Sequence, residues 1–142
     1  MVNRIEESHV SDEALAKQII GVAMRVHRVL GCGFLESVYA NALVLELRKS
    51  GFAFERERVF PVFYDDTEIG VFHADLVIEN RLIIELKSVE ALNIAHSVQL
   101  VNYLAAAQID FGLLLNFGTK RLEFKTKSRI YYTPEESSNL QS

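Results

Sequence analysis

Residues 73–88, with the sequence HADLVIENRLIIELKS, place Asp75 in one strand-like run and Glu85 and Lys87 in the next. Because side chains alternate along a strand, Glu85 and Lys87 share one face of the second run. A hairpin turn at Asn80-Arg81 would bring Asp75 of the first run beside that pair. Burying such charges unpaired costs several kcal/mol for each ion, so something must offset this cost.

Two explanations of the charged group stay open. A hard divalent cation, Mg²⁺ or Mn²⁺, held by the carboxylates with a backbone carbonyl and waters would offset the cost of burial. Alternatively, Lys87 pairs with Glu85 or Asp75, or the side chains lie on a solvated face of the sheet. The alternation also predicts that His73 and Val77 share the face of Asp75, which makes His73 a further candidate contact.

A polar stripe follows on the next predicted helix, within ALNIAHSVQLVNYLAAAQ (residues 91–108). His96, Gln99 and Tyr103 lie at helical spacing and line one face. This face directly follows the strand of Glu85 and Lys87, where a substrate backbone could be gripped. A solvated helix face with an amphipathic tyrosine is the alternative.

A third group lies in GCGFLESVYANALVLE (residues 31–46). Glu36 lies in the first turn of a predicted helix, where the helix dipole favours an acid, and this alone is a sufficient structural reason for it. A functional Glu36 would extend the metal cluster or position water. Tyr39 lies in the same first turns.

Basic side chains recur along one face of the last predicted strand, with Glu123 as the exception. They are Arg121, Lys125, Lys127 and Arg129. On a chain of net charge −4 this stripe is a local cationic surface able to meet phosphates. An edge strand protected by its charges against aggregation is equally consistent with the pattern.

Hydrophobic periodicity predicts the elements that position these groups, in the order ααβββαββ. A helix follows a cap at Ser11 or Asp12, and a second runs over residues 35–49. Strand-like runs, separated by turns, occupy three further segments before the helix of residues 91–108 and two after it. The predicted fold is therefore α/β, with a central mixed sheet flanked by helices.

Composition limits the class of protein. The chain has 142 residues, which predicts a single domain over residues 11–132, with polar, flexible termini at 1–10 and 133–142. No apolar run is long enough for a membrane span, and the polar N-terminus is unlike a signal peptide, so we expect a cytoplasmic protein with no membrane partner. A single cysteine, Cys32, excludes an intramolecular disulfide and a multi-thiolate metal site. The net charge argues against nonspecific coating of nucleic acid.

In residues and element order, the chain resembles the PD-(D/E)XK nuclease superfamily. The motifs are Asp75, then Glu85-x-Lys87 on the next strand, then Gln99-x-x-x-Tyr103 on the next helix. GFLESVY reads as Gly33-x-x-Glu36-x-x-Tyr39, and with HADLVIE, IIELKS, QLVNYL and GLLLNFG it resembles the prokaryotic GxxExxY family. The resemblance spans residues 19–132, and no proline precedes Asp75.

This resemblance implies a restriction-endonuclease-like core and a nuclease acting on DNA or RNA. Asp75, Glu85 and the backbone carbonyl of Leu86 would bind Mg²⁺ or Mn²⁺, and Glu36 would reach the cluster. The resemblance further implies that Lys87 orients water or stabilises transition-state charge, while Gln99 and Tyr103 hold the strand. Tyr39 and His96 join His73 as accessory candidates.

Other readings of the sequence remain. The small size and negative charge also suit a catalytically silent module of the same fold that binds nucleic acid or a protein partner. A homodimer is a further alternative, with a surface supplied by aromatic residues that would otherwise lie in the core: Phe52, Phe54 and Phe60. His27 recurs with apolar residues on the first helix, which favours a packing role.

Overall fold

The computed structural model describes residues 10–129, which contain three helices and five strands in the predicted order. They are α1 (Asp12–Leu30), α2 (Glu36–Lys49), β1 (Phe54–Tyr64), β2 (Thr67–Ile78), β3 (Leu82–Lys87), α3 (Ile94–Ala107), β4 (Phe111–Asn116) and β5 (Glu123–Ser128). None of these helices combines the length and apolarity needed to cross a membrane. Residues 1–9 and 130–142, which include most of both predicted termini, lie outside the described residues. Val10, predicted to be flexible, instead packs against the core.

The five strands form one sheet in the order β1-β2-β3-β4-β5. All neighbours are antiparallel except β3 and β4, which are parallel and joined by the α3 crossover. Every residue of β4 and all but the last of β3 are buried, because helices cover both faces of these central strands. The predicted mixed sheet with flanking helices is confirmed.

The core consists of two layers, one on each face of the sheet. Helices α1 and α2 cover one face, and α3 covers the other. Phe52 and Phe54 pack against the first layer and Phe60 lies in the second, 5% exposed. These three aromatic side chains therefore belong to the core rather than to a dimer surface.

The hairpin of β1 and β2 changes face halfway along its length. Ala74 packs in the layer under α3, whereas Leu76 packs in the layer under α1 and α2. On β1 the same change separates Phe60 from Phe54. Residues two apart on a regular strand share a face, so the alternation is broken between them. Glu57, at the break in β1, has a left-handed φ of 48°.

Because of this break, the prediction that His73, Asp75 and Val77 share one face is wrong. Val77 is buried in the same layer as Ala74, three residues earlier, whereas His73 is exposed. Regular alternation would have kept His73 and Val77 together, and the break beside Asp75 separates them.

The turn between β2 and β3 lies one residue earlier than the predicted Asn80-Arg81. Glu79 and Asn80 have left-handed φ angles of 54° and 55°, and the N–H of Arg81 donates to the carbonyl of Ile78 at 2.9 Å. Ile78 pairs with Leu82, which centres the hairpin on Asn80. Continuing that register places Asp75 opposite Glu85.

We predict that Gly118→Ala strongly destabilises the protein. A Cβ at this position would lie 2.3 Å from the carbonyl oxygen of Val89, a backbone atom that cannot turn aside. We expect a loss of about 2–4 kcal/mol in the free energy of unfolding, measured by urea denaturation. Gly70→Ala is the matched control, because Gly70 is exposed and has open space around it. Equal stability of the two variants would contradict the prediction.

Candidate active site

Strands β2 and β3 separate at the positions of Asp75 and Glu85. Their ladder ends at the pair Leu76 and Ile84. Beyond it, the Glu85 carboxylate accepts a hydrogen bond from the N–H of Asp75 at 3.0 Å. The Asp75 carboxylate in turn accepts one from the N–H of Leu86 at 2.7 Å. The side chains thus replace the backbone ladder and bring both carboxylates to the end of the central strands.

Burial disfavours the charge on both carboxylates. Burial and, next, the neighbouring Asp75 raise the pKa of Glu85 from 4.5 to about 7, although the backbone hydrogen bond from Asp75 and the charge of Lys87 oppose this rise. Burial also raises the pKa of Asp75, against the Leu86 hydrogen bond and Lys87. The pair therefore binds a proton unusually well. A metal cation bound by the two carboxylates would displace that proton.

Lys87 lies beside the carboxylates without a close contact to them. It is half-buried and opposite Asn116 in the register of β3 and β4. Within residues 10–129 it forms no ion pair, although its charge lowers the pKa of both carboxylates. The simple alternative, a Lys87 ion pair that neutralises the group, is therefore not what the structure shows.

A cavity of about 200 Å³ opens next to Asp75. Its lining comes from four elements: Glu36, Ser37 and Ala40 of α2, Arg56 and Glu57 of β1, Asp75 of β2 and Leu86 of β3. Glu36 is exposed and raises the pKa of Glu85 by its charge. The predicted approach of Glu36 from the second helix to the carboxylates agrees with this geometry.

Sequence reasoning missed Arg56 and Glu57. Both lie in the alternating, charged start of β1, which resembles any solvated strand. Glu57 reaches the cavity at the break in alternation, and its charge raises the pKa of Asp75. A left-handed φ for a glutamate is not encoded by the periodicity, so no sequence signal could have placed it.

Helix α3 brings Tyr103 to the carboxylates. Its ring stacks on Phe72 with centroids 4.0 Å apart and planes 4° from parallel. Burial, and then the charges of Glu85 and Asp75, raise the pKa of Tyr103, so its phenol stays protonated. Gln99 lies one turn earlier on the helix and is exposed.

Three predicted accessory residues have different roles in the structure. His96 closes the capping box of α3, where its Nδ1 accepts from the N–H of Asn93 at 3.2 Å. Tyr39 is fully buried and stacks on Phe117. His73 is exposed on the hairpin. Local capping is thus a structural reason for His96, and core packing is one for Tyr39.

His27 packs in the core, as expected. It is 7% exposed, and its Nε2 lies 2.9 Å from the carbonyl oxygen of Thr119.

The predicted basic stripe is divided. Lys125 and Lys127 pair with Leu114 and Gly112 of β4, so they lie on the face that α3 covers. Arg129 pairs with Asp110, with a distance of 3.7 Å between Nη1 and Oδ1. Arg121 lies before β5 and lines a separate groove at the end of α1.

Asn116, another residue that sequence reasoning missed, fixes the chain that follows Lys87. It is fully buried, and its Oδ1 accepts from the N–H groups of Val89 and Gly118, each at 3.0 Å. Its Nδ2 donates to the carbonyl of Val89 and to Glu123. Glu123 also accepts from the N–H of Leu92 at 3.1 Å, just before α3. The sequence signal that could have identified Asn116 is its place as the polar last residue of the apolar strand FGLLLN.

The donor set fits Mg²⁺ or Mn²⁺ in part. Within residues 10–129, no three His, Cys, Asp or Glu side chains are grouped closely enough to hold a metal ion. Mg²⁺, however, usually keeps several waters and binds through one or two carboxylates together with substrate phosphates. Asp75, which lines the cavity, and the adjacent buried Glu85 meet that requirement.

Comparisons with known proteins agree with this fold. The family model of the PD-(D/E)XK nuclease superfamily matches residues 13–128. The crystal structure of SSO0001 superposes with a TM-score of 0.53 and 21% sequence identity, which shows a shared fold. The superposition covers 75% of this chain and 55% of that one, so the chain spans about half the length of SSO0001. No curated protein matches the chain.

We predict that Glu85→Gln removes a pH-dependent loss of stability in the metal-free protein. Because the pKa of Glu85 rises from 4.5 to about 7 on folding, the folded state holds a proton that the unfolded state releases. The free energy of unfolding therefore falls as pH rises through that window. The variant keeps an acceptor for the N–H of Asp75, and above pH 7 we expect it to be about 2 kcal/mol more stable than wild type.

The measurement is urea denaturation in chelator across this pH range. Glu68→Gln, at an exposed glutamate of β2, is the matched control and should retain the wild-type slope. A Glu85→Gln slope equal to that of wild type would show that another group titrates.

Proposed function

The chain belongs to the PD-(D/E)XK nuclease superfamily, and from that membership we propose that it is a metal-dependent nuclease. The substrate would be a phosphodiester of DNA or RNA, and the site would be formed by Asp75, Glu85 and Lys87. The observation that carries the proposal is the meeting of a buried Glu85, on the strand that also carries Lys87, with a half-buried Asp75 that lines a cavity.

Asp75 and Glu85 would hold Mg²⁺ or Mn²⁺ together with the carbonyl of Leu86, and Glu36 would bind through water. The bound metal supplies polarisation of a phosphodiester oxygen and a water of lowered pKa. The two carboxylates would be held in place for this role, because each accepts a backbone hydrogen bond that fixes its position.

Lys87 would stabilise the negative charge that develops on the phosphate, or orient the attacking water. Its ammonium has no carboxylate within ion-pair distance in residues 10–129, so it need not break an ion pair to contact the substrate. A cation held ready in a partly buried site stabilises a transition state more than one in water.

Tyr103 and Gln99 would hold the substrate strand beside this centre. The phenol of Tyr103 stays protonated and can donate a hydrogen bond to a phosphate oxygen, while its stacking on Phe72 fixes the ring. Gln99 is exposed one turn away, and its amide could donate to and accept from the neighbouring nucleic acid backbone.

A catalytically silent module that binds nucleic acid or a protein partner is the second candidate. The observation in its favour is that the described residues hold no group of three metal-binding side chains. The narrower resemblance to the GxxExxY family, and a single nuclease-like domain over residues 11–132, are compatible with either candidate and are part of the proposal.

We expect wild-type protein in Mn²⁺ to cut labelled nucleic acid and Lys87→Ala to cut at least about 100-fold more slowly, because a charge-stabilising group is lost. The substrates are end-labelled single- and double-stranded DNA and RNA, and the size ladder separates exonuclease from endonuclease action. Lys49→Ala, at an exposed lysine of α2, is the matched control. Absence of cutting by wild type on every substrate would favour the silent module.

We also expect Mn²⁺ to raise the melting temperature of wild type by about 5 °C at saturation, and Asp75→Asn to abolish this shift. The shift should grow as pH rises through 7, because Glu85 must lose its proton before a metal binds. Differential scanning calorimetry measures both effects. A shift that persists in Asp75→Asn would place the metal elsewhere.

A further inference from the structure

A short loop, residues 31–35, presents apolar side chains to solvent beside the candidate site. Phe34 is 47% exposed and Leu35 is 77% exposed, and Cys32 is exposed between two glycines. Glu36, which lines the cavity of the carboxylates, comes directly after this loop. The ring of Phe34 contacts Tyr39 edge-on, with centroids 6.1 Å apart, and its remaining surface lies next to the exposed Leu35. Neighbouring exposed apolar side chains of this kind often mark a binding surface.

The backbone of the loop is held in place by side chains of the core. The hydroxyl of Tyr39 donates to the carbonyl of Gly31 at 2.6 Å and accepts from the N–H of Phe34 at 3.2 Å. The hydroxyl of Ser88, the residue after Lys87, donates to the carbonyl of Phe34 at 2.8 Å. Phe34 and Leu35 are thus displayed on a fixed backbone at the end of β3.

A cationic groove of about 500 Å³ lies on the other side of the loop. Its charged lining is Arg28, Lys120 and Arg121, and its remaining lining is Met24, His27, Gly31 and Leu122. Three positive charges in one groove stand out on a chain of net charge −4. None of the three forms an ion pair within residues 10–129.

The groove is close to Lys87. The N–H of Phe117 donates to the carbonyl of Lys87 at 2.8 Å, and Lys120 follows three residues later. Even a fully extended chain places the Cα atoms of Phe117 and Lys120 within about 11 Å of each other. Lys87, the loop and the groove therefore all lie near the ends of β3 and β4.

We propose that this edge binds a single strand of nucleic acid, with unpaired bases stacked on Phe34 and Leu35 and backbone phosphates in the Arg28–Lys120–Arg121 groove. This proposal names the substrate class of the proposed nuclease. It rests on the proposed nuclease function in one respect, namely that the bound strand continues toward Lys87. An exposed aromatic ring can stack on a base only when the base is unpaired, while the cations contact any phosphate backbone. The combination therefore selects single strands over duplexes.

The first test is binding by the full-length protein in chelator, so that no cutting occurs. Fluorescence anisotropy reports binding of labelled oligothymidylate, oligouridylate and a DNA duplex. Phe34→Ala should weaken binding of the single strands about tenfold and leave duplex binding unchanged. Phe63→Ala is the matched control, because Phe63 is 60% exposed but lies at the far end of the hairpin.

The cations are tested by salt dependence. Arg28→Ala, Lys120→Ala and Arg121→Ala should each reduce the slope of log affinity against log salt concentration by about 0.7, the value for one phosphate contact of a single strand. Lys17→Ala, an exposed lysine near the other end of α1, is the matched control and should keep the wild-type slope. The two homopolymers distinguish DNA from RNA.

Cys32 provides a measurement that needs no substitution. It is the only cysteine of the chain and is exposed in the loop, so a maleimide reagent labels this position alone. A bound strand that covers the loop must slow the alkylation, and duplex must slow it less.

The outcomes separate this inference from the proposed function. Single-strand binding that depends on Phe34 and on the groove, without cutting in any metal, supports the inference and contradicts the nuclease. Cutting that depends on Lys87 but is indifferent to Phe34 and to the groove overturns the inference and leaves the nuclease standing. Equal protection of Cys32 by duplex and single strand, or binding unchanged in Phe34→Ala, also overturns it, and the apolar loop would then be a contact for a protein.

Discussion

Two carboxylates occupy the gap where β2 and β3 separate, and most of the site follows from how that gap is filled. Parting two strands leaves backbone N–H groups without partners, which is costly in a buried sheet. Here the Glu85 and Asp75 side chains accept the hydrogen bonds of Asp75 and Leu86. No buried side-chain polar atom in residues 10–129 lacks a partner. The same two bonds therefore hold the strands apart, keep the cavity open and fix the carboxylates.

The position of α3 depends on a second network, centred on Asn116. Its amide binds Val89 on both backbone groups and also binds Glu123, which holds Leu92. These bonds fix the connection from Lys87 to α3 at several points, so the helix is held in a defined place over the sheet. Tyr103 stacks on Phe72 as a consequence and lies within electrostatic reach of Glu85. The candidate site residues of β3 and the proposed contact residues of α3 are in this way coupled through one buried amide.

The sequence predicted the elements well, because the period of apolar residues is a local property. The continuous apolar runs of β3 and β4 identified the centre of the sheet, and the hairpin brought Asp75 opposite Glu85 even though its turn lies one residue earlier. The prediction failed where backbone conformation decides the outcome. A left-handed Glu57 reversed the faces of β1 and β2. The divided basic stripe has the same origin, since β5 begins only at Glu123 and leaves Arg121 in the preceding turn.

Two features near the candidate site lower the stability of the fold, and they bear on the choice between the two candidate functions. Glu57 in a left-handed conformation costs about 1 kcal/mol, and the raised pKa of Glu85 reflects a further penalty. Replacing a buried carboxylate by a neutral side chain of similar shape would remove that penalty. A module that only binds a nucleic acid strand requires the loop and the cationic groove, but not two ionisable carboxyl groups. Neutral acceptors of similar shape could take the same backbone hydrogen bonds, so Asp75 and Glu85 beside a Lys87 that forms no ion pair within residues 10–129 favour the nuclease.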